Sequence, residues 1–230
     1  MSPRPRQTER HHDLQVAIKE IAWKQIAEQG APAIGLRSIA RTLNITAPSI
    51  YNYYPSRDAL VTALIIDAYT SFGDSQLSAL STIPENQLAR RLIATGKAYR
   101  DWALSYPQRY QLIFGTPIPG YQAPLMEVQP AAARSLSALV SVIDQLRIQG
   151  KLRSDGFPTV KPGYQEVFET WKKFAGDYDI LSLSVAMLIW SRVHGLVSLE
   201  ISNALPPFGV DGSALYEYEI ASIIKQFISD

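Results

Sequence analysis

The chain has 230 residues, 47% of them hydrophobic, which suits either one large domain or a small domain joined to a larger one, with a core sufficient to fold unaided. Cysteine is absent, no apolar segment follows the charged start MSPRPRQTERHH, and the longest apolar run, Ile180 to Trp190, is too short and too broken by Ser182 and Ser184 to span a bilayer; no membrane partner is expected, and a reducing, cytoplasmic setting is the simplest reading. Net charge is only +1 but unevenly spread, with eight Lys/Arg against four acids over residues 1–57 (+4) and fourteen against seventeen beyond (−3), so a basic head could meet a polyanion, although a few side chains would erase the difference.

Helical periodicity dominates. Leu14, Ile18, Ile21, Ala22 and Ile26 make an apolar stripe over about residues 9–29, closed by Gly30, which readily takes the left-handed conformation that ends helices. After APAIG, the run Leu36 to Leu43 supplies two helical turns, with Gly35 as N-cap and Asn44 tolerating left-handed geometry at the end. A short helix is expected from Ala47 to about Tyr54, capped by Thr46 and carrying Pro48 in its first turn, where a missing N–H costs nothing. Pro55-Ser56 then breaks the chain, and Ser56 caps a long fourth helix over 57–80 bearing Leu60, Leu64, Ile65, Ala68 and Phe72. Further helices are expected at about 84–105, 107–114, 125–150, 164–174, 178–203 and 213–229, joined by the Pro/Gly-rich loops GTPIPGYQAP, KLRSDGFPTVKPG and NALPPFGVDG. No run alternates in the manner of a strand. The expected fold class is all-α: an N-terminal arm and three-helix helix-turn-helix domain over residues 1–56, and a larger helical bundle over 57–230 entered through the bridging helix.

The stretch ITAPSIYNYYPSRDAL concentrates aromatic and polar side chains on the third helix. With Ile50 at zero and about 100° per residue, Tyr54 falls at about 40° on the same buried side, while Pro48 and Asn52 lie opposite, Ser49 and Tyr51 occupy the shoulders, and Ala47 and Tyr53 border the two faces. A helix in the major groove needs this division, because Asn can pair with adenine in two-point fashion and apolar carbons can touch thymine methyls. Arg57 at the start of the fourth helix opposes the helix dipole, a mismatch that a phosphate placed there would relieve. Arg37 can face the groove beside it. Arg4, Arg6 and Arg10 sit on a Pro-broken arm suited either to phosphates and a minor groove or merely to solubility. A surface tyrosine cluster that only stabilises the helix pair is the competing reading.

The segment GLRSIARTLNITAPSIYNYYPSRDAL, preceded by an amphipathic helix, closely resembles the N-terminal domain of TetR-type transcriptional regulators over about residues 9–72. Asn44 stands where glycine is common in that family and Tyr54 where phenylalanine is common. The resemblance implies DNA contacts from Arg37, Ala47, Pro48, Ser49, Tyr51, Asn52 and Tyr53 in the groove and from Arg57 on the backbone. Further along, WSRVHGLVSLE (190–200) and YPQRYQLIFGTPIPGY (106–121) resemble the C-terminal domain type of the same family named for its Trp-His-Gly letters.

Residues 178–203 are apolar on nearly every side, and the last helix carries its own apolar stripe. Leu188, Val193, Leu196, Ile220, Ile223, Ile224 and Phe227 are the candidate interface of a homodimer, which would present two recognition helices to successive major grooves; a monomer whose other helices cover these faces is the alternative. The resemblance favours the dimer. Trp102, Tyr110, Phe114, Trp171, Trp190 and His194 could line a pocket for an apolar or aromatic small-molecule effector, or could simply be core, and for each of them core is the commoner outcome. The sequence has no glycine-rich phosphate loop, no His pair at metal-binding spacing and no Cys nucleophile, and adjacent His11 and His12 point apart on a helix, so neither an enzyme nor a metal or cofactor is expected. The function these features imply is a ligand-responsive repressor that binds a pseudo-palindromic double-stranded operator as a homodimer. A helical adaptor using the tyrosine face is the second reading, and a small all-α enzyme the third.

Overall fold

Gly30 adopts φ 81° and its N–H closes on the Ile26 carbonyl at 2.9 Å, ending the first helix where the sequence places its end. The computed structural model describes residues 7–155, 157–158, 161–205 and 211–229, with no side-chain description for 7–12 and 175. Arg4 and Arg6 of the arm, and the side chains of Arg10, His11 and His12, therefore lie outside the described residues. Among those described, ten α-helices form: α1 (Gln7–Gln29), α2 (Leu36–Thr42), α3 (Ala47–Tyr51), α4 (Arg57–Ser81), α5 (Leu88–Ser105), α6 (Pro107–Phe114), α7 (Leu125–Ile148), α8 (Pro162–Ala175), α9 (Ile180–Ile201) and α10 (Ser213–Phe227). Their only β pairing is a single antiparallel bridge between Leu152 and Ile228. The expected all-α class is the class found.

Two compact units divide the chain, one comprising residues up to Ala68 with Gln108–Val128, the other Tyr69–Pro107 with Gln129–Asp230. The division falls inside α4, past the expected break at residue 56. Its first turns explain the difference: Leu60, Val61 and Leu64 are fully buried, and Lys19 of α1 reaches Asp67 at 2.7 Å. Around them Ile18, Ala22, Ile39 and Ile50 complete an apolar centre. Residues 108–128 return to this unit through the Tyr121 hydroxyl, 2.9 Å from Thr62 Oγ1, and through the Arg109 guanidinium, which lies over the Trp23 ring at 5.3 Å.

Two boundaries differ from expectation by more than two residues, for local reasons. α3 stops at Tyr51 instead of Tyr54, because Pro55 disfavours helical backbone at the residue before it; the amides of Tyr53 and Tyr54 both turn back to the Ile50 carbonyl, at 3.0 and 3.1 Å. α5 begins at Leu88, not at 84, because Gln87 N–H closes a turn on the Pro84 carbonyl at 3.0 Å. α4 matches the expected 57–80 and passes through Gly73, where a Cβ would lie 3.1 Å from Ser135 Cα on α7. Beside that crossing the buried Gln76 amide donates to the carbonyls of Ser135 (3.0 Å) and Phe72 (3.3 Å).

In the second unit α9 is the central element. It is long and apolar enough to cross a membrane by length and composition, yet it is a packed helix here, with Ser182 to Ala186, Ile189, Val193 and Val197 buried. Its charged residues are spent on neighbours. Glu200 receives Arg100 of α5 through Nε at 2.8 Å and Nη2 at 2.5 Å, and Arg192 holds Glu219, Ser222 and Gln226 of α10. Tyr216 of α10 donates to the Gly96 carbonyl at 2.5 Å, across a contact so close that a Cβ on Gly96 would meet Ile220 Cδ1 at 2.7 Å. Replacing Gly73 by Val forces the α4 and α7 backbones apart, and equilibrium urea unfolding is expected to show a loss of about 1–3 kcal/mol.

Candidate nucleic-acid interface

The turn between α2 and α3 is built from backbone preferences. Asn44 takes φ 53°, the left-handed geometry its short amide side chain tolerates, and lets Ile45 N–H reach the Ala40 carbonyl at 3.0 Å. Thr46 then caps α3: its Oγ1 accepts from Ser49 N–H at 3.4 Å and lies 2.7 Å from Ser49 Oγ. The start of α2 is fixed from α1, as Gln25 accepts from Gly35 N–H (3.3 Å) and donates to Ser38 Oγ (2.8 Å). Nothing local in the sequence marks Gln25 for this task, because its partners lie on the next element.

α3 presents the two faces that its periodicity implies. Ile50 is fully buried and Tyr54, just beyond the helix, is 6% exposed; burial, with Asp67 nearby, pushes the Tyr54 hydroxyl up to about 12. Ala47, Pro48, Tyr51 and Asn52 are exposed, Ser49 and Tyr53 are half-buried, and Arg37 is exposed on α2. The shortening of α3 leaves Asn52 as its C-cap and Tyr53 in the following turn, so the outward row contains four helical residues and two that follow.

Arg57, expected on the DNA backbone, has partners within its own chain. Its Nε donates to the Ile34 carbonyl at 3.2 Å and its Nη2 to the Pro32 carbonyl at 3.3 Å, while Nη1 lies 3.6 Å from Asp58. The guanidinium fork thus ties the start of α4 to the turn between α1 and α2, and helix capping falls to Ser56, whose Oγ accepts from Ala59 N–H at 3.0 Å. The dipole mismatch that suggested a phosphate is answered inside the chain, by two carbonyl oxygens and the Asp58 carboxylate in the first turn.

The candidate pocket residues divide between the two units. Tyr110 and Phe114 pair at 5.1 Å in the first, with Tyr110 buried. In the second, Phe72 packs on Tyr99 and Trp102, both at 4.8 Å, and Trp102 donates to Ser71 Oγ at 2.9 Å. Tyr99 places its hydroxyl 2.9 Å from His194 Nδ1, and Trp190 stacks on the His194 ring at 4.7 Å. Burial holds the His194 imidazole below its ordinary pKa, so it is kept neutral. Trp102 and Tyr110 are thereby core, contrary to their candidacy as pocket walls, and Trp171 is half-buried on α8. An apolar concavity of this unit lies elsewhere among the described residues, a cavity of about 450 Å³ between α8 and α9 whose lining includes Phe157, Tyr164, Ile180, Leu181 and Leu188 and none of the six candidates.

The candidate interface residues are likewise redistributed. Val193, Ile223 and Phe227 are buried within their own chain, and Ile220 packs over Gly96. Ile224 lines concavities shared with α5, and Leu196 is half-buried. What α9 and α10 expose is Leu188 (47%), Leu199 (42%) and Tyr218 (75%). Leu188, Gly195 and Leu199 fall on one line of α9 at helical spacing, and a Cβ on Gly195 would meet nothing within 4 Å.

Known proteins match this architecture. A family model described as bacterial regulatory proteins, tetR family, matches residues 18–64, and another described as Tetracyclin repressor-like, C-terminal domain, matches residues 92–223, spanning both C-terminal segments singled out in the sequence. The HTH-type transcriptional regulators Rv1816 of Mycobacterium tuberculosis and Mb1846 of Mycobacterium bovis are each 30% identical to the chain over 188 residues, covering 82% of it and 80% of their own length. The crystal structure of SCO4313 is similar along 97% of this chain and 100% of its own, with 32% identity and a TM-score of 0.77.

The Arg57 clip predicts that Arg57→Ala speeds amide hydrogen exchange across α2 and lowers stability by about 1 kcal/mol, with Arg57→Lys failing to restore either because ammonium lacks the planar fork.

Proposed function

The chain belongs to the TetR family of bacterial regulatory proteins, a DNA-binding transcriptional regulator and not an enzyme, and from that membership we propose that it is a ligand-responsive repressor acting from the cytoplasm as a homodimer on a pseudo-palindromic operator. The observation that carries the DNA assignment is the outward row on α3: Ala47, Pro48, Tyr51 and Asn52 are exposed while Ile50 and Tyr54 are buried, so the helix is anchored along one side and offers the other. Asn52 supplies two-point recognition of adenine. Tyr51 and Tyr53 supply flat apolar carbon for thymine methyls and hydroxyls for phosphate, and Ala47 and Pro48 allow the helix start to approach base edges. Ser49 joins this face, its hydroxyl shared with Thr46, and Arg37 supplies the charge. Arg57 enters the proposal as a holder of the reading head rather than as a phosphate contact.

Dimerisation rests on the exposed line of α9. A glycine in the middle of a helix costs about 1 kcal/mol relative to alanine, and at Gly195 none of the described residues of its own chain comes close enough to require one. A second α9 crossing at that point would gain close backbone approach, with Leu188 and Leu199 packed on either side. For the effector, the α8–α9 cavity has an apolar wall with aromatic members and the volume of ordinary small-molecule sites. Leu188 belongs to both this cavity and the α9 line, so an apolar ligand there would touch the proposed interface. Its effect on DNA affinity would then be a coupling free energy between the two sites.

Operator fragments selected from genomic DNA provide the test. The double variant Tyr51→Ala/Asn52→Ala is expected to lose about 2–4 kcal/mol of operator affinity, roughly thirtyfold to a thousandfold in Kd, with an unchanged melting temperature; unaltered operator binding refutes the assignment. Gly195→Trp is expected to shift sedimentation from dimer to monomer at micromolar concentration while helicity is retained, since the bulky ring projects into space that is open in the single chain.

A further inference from the structure

A second concavity in the same unit differs from the apolar one in charge. It encloses about 750 Å³ between the start of α5, the segment after α7 and the end of α10, and its lining includes Arg90, Lys151, Arg153 and Lys225 without one acidic residue. The part of the chain beyond residue 57 is net negative, so four cations gathered in one cavity run against its average. Five other cations of this unit are matched, Arg100 with Glu200, Arg134 with Asp74, Arg147 with Asp144, Lys172 with Glu169 and Arg192 with Glu219, while Arg91, Lys97, Lys161 and Lys173 form no ion pair among the described residues but do not gather in one cavity with each other. Among the described residues none of the four cavity cations forms an ion pair; Arg90 donates to Gln87 at 2.5 Å and Arg153 to the Lys225 carbonyl at 3.0 Å, while Lys151 and Lys225 project their ammonium groups as solvated charge. Lys225 has a local explanation in the dipole of α10, at whose end it lies. Arg90 has the opposite relation to α5, whose first turn holds Arg90 and Arg91 and no acid. Asp230 follows Ser229 in sequence and lies outside the described residues.

Behind the cations the cavity floor is apolar, from Leu146 and Ile224. We propose that this cavity binds an organic phosphate, a small molecule whose di- or polyphosphate group is held by Arg90, Lys151, Arg153 and Lys225 and whose less polar moiety rests on Leu146 and Ile224. A single phosphate or carboxylate would leave several cations unmatched, whereas a diphosphate carries about three negative charges near neutrality and can span separated donors. The site is chemically distinct from the α8–α9 cavity and does not depend on the operator reading, because its occupancy is measured without DNA.

ADP and pyrophosphate serve as probes, titrated calorimetrically into the full chain, with adenosine as the uncharged control. ADP is expected to bind once per protomer and adenosine not to bind. The Lys151→Gln/Lys225→Gln variant, which removes no side-chain hydrogen bond among the described residues, is expected to weaken ADP by about a hundredfold or more, equivalent to two charge-assisted contacts, with its helicity retained by circular dichroism. Lys151→Arg should retain affinity. Equal binding of adenosine and ADP, an ADP affinity unaffected by the double variant, or no binding of either ADP or pyrophosphate at millimolar concentration overturns the proposal. So does displacement of ADP by duplex DNA of arbitrary sequence, which would assign these cations to a nucleic-acid backbone.

Discussion

A helix of five residues cannot hold itself, and the proposed reading surface of this protein depends on what grips α3 from behind. Isolated helices that short do not form in water, because the nucleus fixes several dihedral angles for a single hydrogen bond. Here Ile50 is sealed in the core, the Tyr54 ring is buried just after the helix ends, and Thr46 caps the start. Asn44 supplies the one left-handed residue that turns α2 into α3. With those contacts fixed, every remaining side chain of the segment is committed to an orientation. The same constraint explains Arg57 and Gln25, which lock the turn before α2 from α4 and α1 and so position the whole helix pair relative to its support.

The second unit is organised differently, around a long apolar helix whose few charges are individually neutralised. Arg100 and Glu200 meet with both side chains largely buried, and Ser213 and the Gly212 amide add further hydrogen bonds to the pair. Such a pair contributes more to register than to net stability, since removing two charges from water offsets much of their attraction. It fixes α5, α9 and α10 as a set, with Tyr216 against Gly96 setting the spacing. Against that frame, the four cations gathered beside Leu146 and Ile224 and the open space beside Gly195 are features that the packing of the described residues leaves unexplained.

Much of the architecture was legible in the sequence because it rests on local preference. Gly30, Asn44, Thr46 and Ser56 are found at the termini where their backbone and capping chemistry places them, and the split between Ile50 with Tyr54 and the residues opposite follows from helical periodicity alone. What was not legible depends on partners distant in sequence. The reason for glycine at position 73 is visible only once Ser135 is seen across the gap, and the Pro32 and Ile34 carbonyls that hold Arg57 lie more than twenty residues before it. The aromatic and interface candidates show a related limit. Apolarity identified Trp102, Tyr110, Val193, Ile223 and Phe227 as residues needing cover, but whether cover comes from the chain itself or from a ligand or second copy is decided by tertiary packing. The basic cavity assembles from three separate segments and has no sequence signature at all.

The central claim, that the outward face of α3 reads the major groove, is tested most directly by chemical protection of an operator fragment selected from genomic DNA. Dimethyl sulfate modifies guanine N7, which lies in that groove. Two clusters of protected N7 atoms related by a two-fold axis, both lost in the Tyr51→Ala/Asn52→Ala variant, are the expected result. Protection that persists unchanged in this variant would place DNA recognition on another surface.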